Sequence, residues 1–311
     1  MISLEKILKI IDLAKECSLC AMSHFKDLDN VQVNYKEDES PLTKADIEVN
    51  KIAVNGLKKL FPEINIVSEE LKQSQNFQEN QKIFWLVDPI DGTKEFINKT
   101  PNFTVNFALI KNNLPIFGLI AQPFTNTIWY NFKGKAWKIE QDYNFQNSQQ
   151  IQCSIINYNE IKTLSSFNHR SKELENWMSF VRPIKDRDIG SSIKFCYLAE
   201  GKMDFYPRTA PTMEWDTAAG HSILKAAGGS LYSNSGFEMQ YGKNNFINPN
   251  FLAFGKTENL PPKFLLFLDN QNLDDYEKDL NYAVNELKKE NLVAFPTETV
   301  YGLGAIGNST K

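Results

Sequence analysis

Apolar residues recur every three to four positions from residue 3 to about 26 (SLEKILKIIDLAKECSLCAMSHFK) and again from 43 to 60 (TKADIEVNKIAVNGLKKL), the period of two amphipathic helices. Between about 83 and 140 the pattern changes. IFWLVD, TVNFALI, PIFGLIAQP and TIWYNF are short runs rich in β-branched and aromatic residues, set apart by polar or glycine-containing turns. They predict a largely antiparallel sheet. Strand-like and helical segments then mix up to about 260, including a helix over 216–227 that stops at Gly228-Gly229. Pro261-Pro262 reads as a linker, followed by DDYEKDLNYAVNELKKE at helical spacing and then LVAFPTETVYGLGA. The polar stretch QSQNFQENQK, 73–82, reads as a loop. No internal repeat is visible.

With 311 residues, 42% of them hydrophobic, the chain can build one large core or two smaller ones. Its formal charge of -4 argues against a broad nucleic-acid surface and leaves room for a small basic pocket. No apolar run reaches the roughly 18 residues of a membrane span, and the charged helical N-terminus is not a secretory signal. The expectation is a cytoplasmic protein, with peripheral association at the cytoplasmic face of the inner membrane left open. Cys17, Cys20, Cys153 and Cys196 are too scattered for a disulfide framework. Cys17-x-x-Cys20 fits small core residues at i and i+3 of the first helix; with His24 a turn beyond, a metal or redox site is the alternative.

The chemistry lies where apolar runs end in acids. Trp85-Leu86-Val87 leads into Asp88, Pro89 and Asp91; Val67-Ser68 leads into Glu69-Glu70; and Asp216 opens the helix of EWDTAAG. Carboxylates crowded at buried strand ends repel one another and lose solvation. Each has an ordinary alternative: a turn at Asp88-Pro-Ile-Asp91-Gly, a solvated loop at Glu69-Glu70, an N-cap at Asp216. Together they match the hard oxygen set that Mg²⁺ prefers. Gly92-Thr93 opens a segment whose backbone amides suit phosphate oxygens. Thr43 and Asp46 read as N-cap and N3 of a capping box.

Glu69-Glu70, DPIDGT at 88–93 and WDTAAG at 215–220, in this order over roughly residues 1 to 258, resemble the inositol monophosphatase superfamily of lithium-sensitive, magnesium-dependent phosphatases. Lys94-Glu95-Phe96 and GSSIKFCYLAEGKMDFYPR at 190–208 resemble its 3'(2'),5'-bisphosphate nucleotidase branch. The resemblance implies a layered α/β (α+β) sandwich of the inositol monophosphatase/fructose-1,6-bisphosphatase type with two subdomains, 1–140 and 141–259. It implies two or three Mg²⁺ ions held by Glu69, Asp88, Asp91, Asp216 and the carbonyl of Ile90, with Thr93 and Asp46 activating the attacking water. Gly92 and Thr93 would hold the scissile phosphate beside Glu69, Asp91 and Asp216, and Ser191, Ser192, Lys194, Arg208 and His169 the rest of a phosphonucleotide. The implied reaction removes the 3'-phosphate of 3'-phosphoadenosine 5'-phosphate to give AMP, in sulfur assimilation and nucleotide turnover, without a phosphoenzyme. An inositol-phosphate or broader sugar-phosphate phosphatase is the alternative; a non-catalytic phosphate-binding protein is the alternative of another class. His221 is assigned to packing.

Beyond a linker at 260–273, LKKENLVAFPTETVYGLGA resembles the opening of threonylcarbamoyl-adenylate synthases of the Sua5/YrdC type. Ile306-Gly307 replaces the Asp-Ala of that family. Residues 274–311 are therefore expected to be an inert helix-strand fragment.

Overall fold

The computed structural model describes residues 2–27, 33–35, 41–71, 81–165, 171–261, 264–265, 273–289, 291–296 and 301–304. The first half of the chain gives α1 (Leu4–Lys26), β1 (Val33–Tyr35), β2 (Pro41–Thr43), α2 (Lys44–Leu60), β3 (Asn65–Ser68), β4 (Ile83–Asp91), α3 (Thr93–Ile97), β5 (Thr104–Lys111), β6 (Leu114–Gln122), β7 (Thr127–Phe132), β8 (Lys135–Ile139) and β9 (Gln149–Ile151). The second gives β10 (Lys162–Ser165), α4 (Lys172–Val181), β11 (Lys185–Asp188), α5 (Ile193–Ala199), β12 (Phe205–Arg208), α6 (Glu214–Ala226), β13 (Ser230–Ser233), β14 (Phe251–Phe254), α7 (Leu273–Lys288), β15 (Val293–Pro296) and β16 (Tyr301–Gly304).

The two helices read from the 3.6 period are α1 and α2. The Ser3 side chain caps α1 by accepting from the Lys6 N–H at 3.3 Å, with Glu5 in the first turn and Lys26 in the last, as the helix dipole favours. The apolar runs of 83–140 become a seven-stranded sheet in sequential order β3 to β9. Every pair in it is antiparallel except β3 with β4. The sheet takes in β9, beyond the boundary expected near 140. The second sheet has the order β11-β10-β12-β14-β13 and mixes parallel and antiparallel pairs.

Alternation along β4 shows how the layers form. Trp85 and Val87 face one way, into a core shared with Ile7, Ile10 and Ala14 of α1 and Val49 and Ala53 of α2. Phe84 and Leu86 face the other way, against Phe195 and Leu198 of α5, Ala218 and Ile223 of α6, and Tyr206 and Phe251 of the second sheet. The far face of that sheet packs Phe205, Leu252 and Phe254 against Leu174 and Trp177 of α4. The result is five layers, α-β-α-β-α, the layered sandwich expected. Both faces of the large sheet are covered, so its central strands read as continuous apolar runs. Gly220 matters to this packing: a Cβ there would lie 2.3 Å from the Phe195 ring.

Cys17 enters the core as expected, whereas Cys20 is only partly buried. The loop assigned to 73–82 lies almost wholly outside the described residues. In the C-terminal segment β15 pairs antiparallel with β16, so α7 is followed by a two-stranded ribbon rather than a single strand. No helix among the described residues is long and apolar enough to cross a membrane.

Candidate active site

Strand β4 carries an unusual end. Three steps along β4, from Asp88 to Asp91, stand opposite two steps of β5, from Asn106 to Thr104. The extra residue is a bulge, and Pro89 sits inside it, where its missing N–H breaks no ladder bond. The Ile90 amide donates to Asp88 Oδ1 at 3.1 Å, closing a short turn. Gly92 follows in the left-handed region at φ +90, with the carbonyl oxygen of Asn102 3.0 Å from where a Cβ would stand. Gly92→Ala is therefore expected to lose about 1–2 kcal/mol of stability in urea titration, the cost of placing an L side chain in left-handed backbone.

The bulge aims Asp88 and Asp91 at Asp216, which arrives from the first turn of α6. One carboxylate oxygen from each lies within 4.8 Å of those of the other two. Asp216 was expected to begin the helix. Instead the helix starts at Glu214, and Asp216 reaches back from the third position, its Oδ2 accepting from the Met213 amide at 2.8 Å. Desolvation pushes the Asp88 carboxyl well above the ordinary range, helped by repulsion from Glu69, Asp91 and Asp216. Asp216 is raised for the same reasons, desolvation first and then the charges of Asp91 and Glu69. Asp91 is pushed up to about 6 by desolvation, against the opposing pull of Lys194 and the Ser192 amide. Glu69, whose amide donates to the Val87 carbonyl at 3.2 Å at the end of β3, contributes the fourth charge. The four acids read as metal ligands thus converge from three separate segments.

Asp46 resolves its two readings by dividing its oxygens. Oδ2 accepts from the Thr43 amide at 2.8 Å and from the Thr43 hydroxyl at 2.5 Å; the amide contact, with the Asp46 N–H donating to Thr43 Oγ1 at 3.4 Å, makes the capping box that starts α2. Oδ1 faces Thr93, whose Oγ1 lies 3.3 Å away and 3.2 Å from the Ile90 carbonyl. Asp46 is almost wholly buried, so this pair holds a fixed position between α2 and the end of β4.

The opposite wall is the turn before α5. Gly190, Ser191, Ser192, Lys194, Arg208, Thr212 and Thr217 line one cavity with Asp91, Gly92, Lys94, Glu95 and Asp216. Lys194 is buried, and its Nζ donates to the carbonyls of Ile189 at 2.9 Å and Ser191 at 2.8 Å over the Tyr206 ring. Burial lowers its pKa to about 8. Its first task is thus to brace the turn that carries Ser191. Arg208 likewise donates from Nε to the Ala210 carbonyl at 3.0 Å and from Nη2 to the Pro211 carbonyl at 3.2 Å. Ser192 spends its hydroxyl on Thr104 and Asn106, and its amide donates to Asp91. It clamps the turn before α5 onto β4 and β5 beside the carboxylates. His169 lies outside the described residues. His221 packs as expected, its Nδ1 3.1 Å from the Tyr241 hydroxyl.

Sequence reading missed Thr104 and Asn106. Asn106 donates to Asp91 at 3.4 Å and accepts from Ser192 at 2.9 Å, so it joins one acid of the cluster to the opposite wall. The available signal was two polar residues at i and i+2 in the apolar run TVNFALI, on one side of a buried strand.

The model of the "Inositol monophosphatase family" matches residues 3–261. The chain belongs to the inositol monophosphatase family. Members of this family generally use divalent metal ions. A protein of Buchnera aphidicola named 3'(2'),5'-bisphosphate nucleotidase CysQ is 38% identical over 250 residues, covering 79% of this chain and 92% of that protein. The CysQ of Escherichia coli strain K12 is 36% identical over 250 residues, 78% of this chain and 97% of its own. The crystal structure of CysQ from Bacteroides thetaiotaomicron superposes with a TM-score of 0.68 at 31% identity, covering 82% of this chain and 98% of that one. A suhB structure from Bartonella henselae, at 21% identity and a TM-score of 0.69, shares the fold.

Proposed function

We propose that the chain is a magnesium-dependent 3'(2'),5'-bisphosphate nucleotidase that removes the 3'-phosphate of 3'-phosphoadenosine 5'-phosphate, giving AMP and phosphate. The observation that carries this reading is a cavity lined by Asp91 and Asp216 of the three-carboxylate cluster and walled by a turn and loop that Lys194 and Arg208 brace. The name borne by relatives of up to 38% identity supports the choice of substrate.

The acids suit hard divalent cations: buried, mutually repelling carboxylates are an oxygen set that needs positive charge. Glu69, Asp88, Asp91, Asp216 and the Ile90 carbonyl would hold two or three Mg²⁺ ions. When bound, such ions polarise phosphoryl oxygens and neutralise the charge that develops on them. The chain's own residues do the rest. Thr93 Oγ1 accepts the proton of the attacking water as its own hydroxyl proton passes to Asp46 Oδ1, so the hydroxyl is regenerated and the carboxylate ends protonated. Asp46 thereby acts through Thr93. The Gly92 and Thr93 amides, at the start of α3, hold the scissile phosphate. Ser191, together with the turn and loop that Lys194 and Arg208 brace, receives the remainder of the nucleotide, with Ser192 fixing that wall and His169 assigned to the same ligand. The free thiols fit a reducing, cytoplasmic setting. Residues 274–311 take no part in this reading.

Phosphate release from 3'-phosphoadenosine 5'-phosphate and from inositol 1-phosphate, each with Mg²⁺ and with chelator, tests it. The nucleotide is expected to be preferred by at least about tenfold in kcat/KM, or about 1.4 kcal/mol. Equal rates would sink the substrate assignment, and activity in chelator would sink the metal role.

A further inference from the structure

A second set of metal-binding side chains lies on the outer helices. Cys20 and His24 stand four residues apart on α1, hence on one face, and Glu48 meets them from α2. The thiol sulfur, an imidazole nitrogen and a carboxylate oxygen all lie within 4.8 Å of one another. His24 Nε2 is 2.8 Å from Glu48 Oε2, and the other oxygen of Glu48 is 3.4 Å from the exposed Lys44 ammonium. Cys17, Cys153 and Cys196 are buried, whereas Cys20 is partly open to solvent.

We propose that Cys20, His24 and Glu48 form a binding site for a borderline-soft divalent cation such as Zn²⁺, separate from the carboxylate cluster of the active site. Sulfur, nitrogen and oxygen in one triad is a donor set suited to zinc and poorly suited to magnesium, which takes oxygen. A tetrahedral zinc shell holds its donors about 3.3–3.8 Å apart, so an ion would part the 2.8 Å His24–Glu48 contact and seat the triad with side-chain movements of about an ångström. The three protein donors leave the fourth position to water or an outside ligand. Occupation ties the last turn of α1 to the helix that presents Asp46. It needs no change at Asp46 itself, which lies two residues before Glu48 and caps α2 from its buried side.

Cobalt(II) separates this site from the active site, because only a thiolate ligand gives a sulfur-to-cobalt charge-transfer band in the near ultraviolet. The full chain in excess Mg²⁺ is titrated with Co²⁺. One equivalent should develop the band together with visible absorption of tetrahedral character, and Zn²⁺ should bleach both. Cys20→Ser should abolish the band while leaving magnesium-dependent phosphatase activity unchanged. His24→Gln should weaken cobalt binding by at least about tenfold, no less than the loss of a supporting partner costs. Absence of the band at millimolar cobalt would overturn the proposal, and so would its persistence in an active Cys20→Ser protein.

Discussion

Asp88→Asn should cut phosphate release by about 10³-fold or more while making the cation-free protein harder to melt. The activity loss follows from removing one full charge at the reacting centre, where losing a single electrostatic group costs on that order. The gain in stability has a separate cause. Asp88 is buried at the end of β4, and desolvation together with Glu69, Asp91 and Asp216 holds its carboxyl well above the ordinary range. The amide is nearly isosteric, and its oxygen can still accept from the Ile90 N–H, now 3.1 Å from Oδ1. What disappears is a desolvated charge. The pH dependence of the cation-free protein follows from the same cluster. Groups whose pKa is raised by folding favour the folded state when protonated. Their contribution is complete below the unfolded carboxylate value near 4 and is lost as pH rises through the folded value, about 6 for Asp91. In chelator, the melting temperature should therefore rise on acidification from pH 8 to pH 5, and less steeply in Asp88→Asn. In Mg²⁺ the increment over chelator should be larger at pH 8 than at pH 5. Differential scanning calorimetry in the two buffers reads all of this. A cation-free wild type that loses stability between pH 8 and pH 5 would refute the account of the acid cluster.

The legibility of this site in the sequence follows from how it is assembled. Asp88, Pro89, Ile90, Asp91 and Gly92 are consecutive, and a bulge in one strand places them all, so a local string carries the floor of the cavity. WDTAAG is similarly local: Asp216 supplies a carboxylate from the first turn of α6, and Gly220 supplies the close approach of Phe195 one turn later. The opposite wall depends on contacts across the fold. Ser192 reads as a phosphate-binding serine until β5 brings Thr104 and Asn106 against its hydroxyl. Lys194 reads as a lysine reaching for an anion, yet burial in α5 turns its ammonium onto the carbonyls of its own turn. The second sheet was the least legible part, because strands of four residues separated by helices carry too few positions for a period of two to register. Cys20 packs only partly against the core, beside Glu48 of α2, and periodicity along α1 says nothing about which residue of another helix lies there.

Thr93→Ala, Asp46→Asn and the double variant should lose activity to nearly the same degree, about 10²- to 10⁴-fold, the range for a proton-accepting group. If Asp46 acts only through Thr93, its carboxylate has nothing left to polarise once the hydroxyl is gone, and the two losses will not add. Stability separates the residues that activity joins. Thr93→Ala leaves every contact between Asp46 and Thr43 in place, so its melting temperature should stay near that of the wild type. Thr43→Ala removes the cap hydroxyl and should cost about 1 kcal/mol of folding free energy. Because Asp46 still accepts from the Thr43 amide at 2.8 Å, its other oxygen should stay aimed at Thr93, and most of the activity should survive. Asp46→Ala loses both functions together and should combine the stability cost of Thr43→Ala with the activity loss of Thr93→Ala. Additive losses in the Thr93→Ala/Asp46→Asn double variant would mean that Asp46 contacts the reacting water itself. Non-additive losses would mean that one carboxylate serves two ends, its Oδ2 held at the start of α2 and its Oδ1 acting through Thr93.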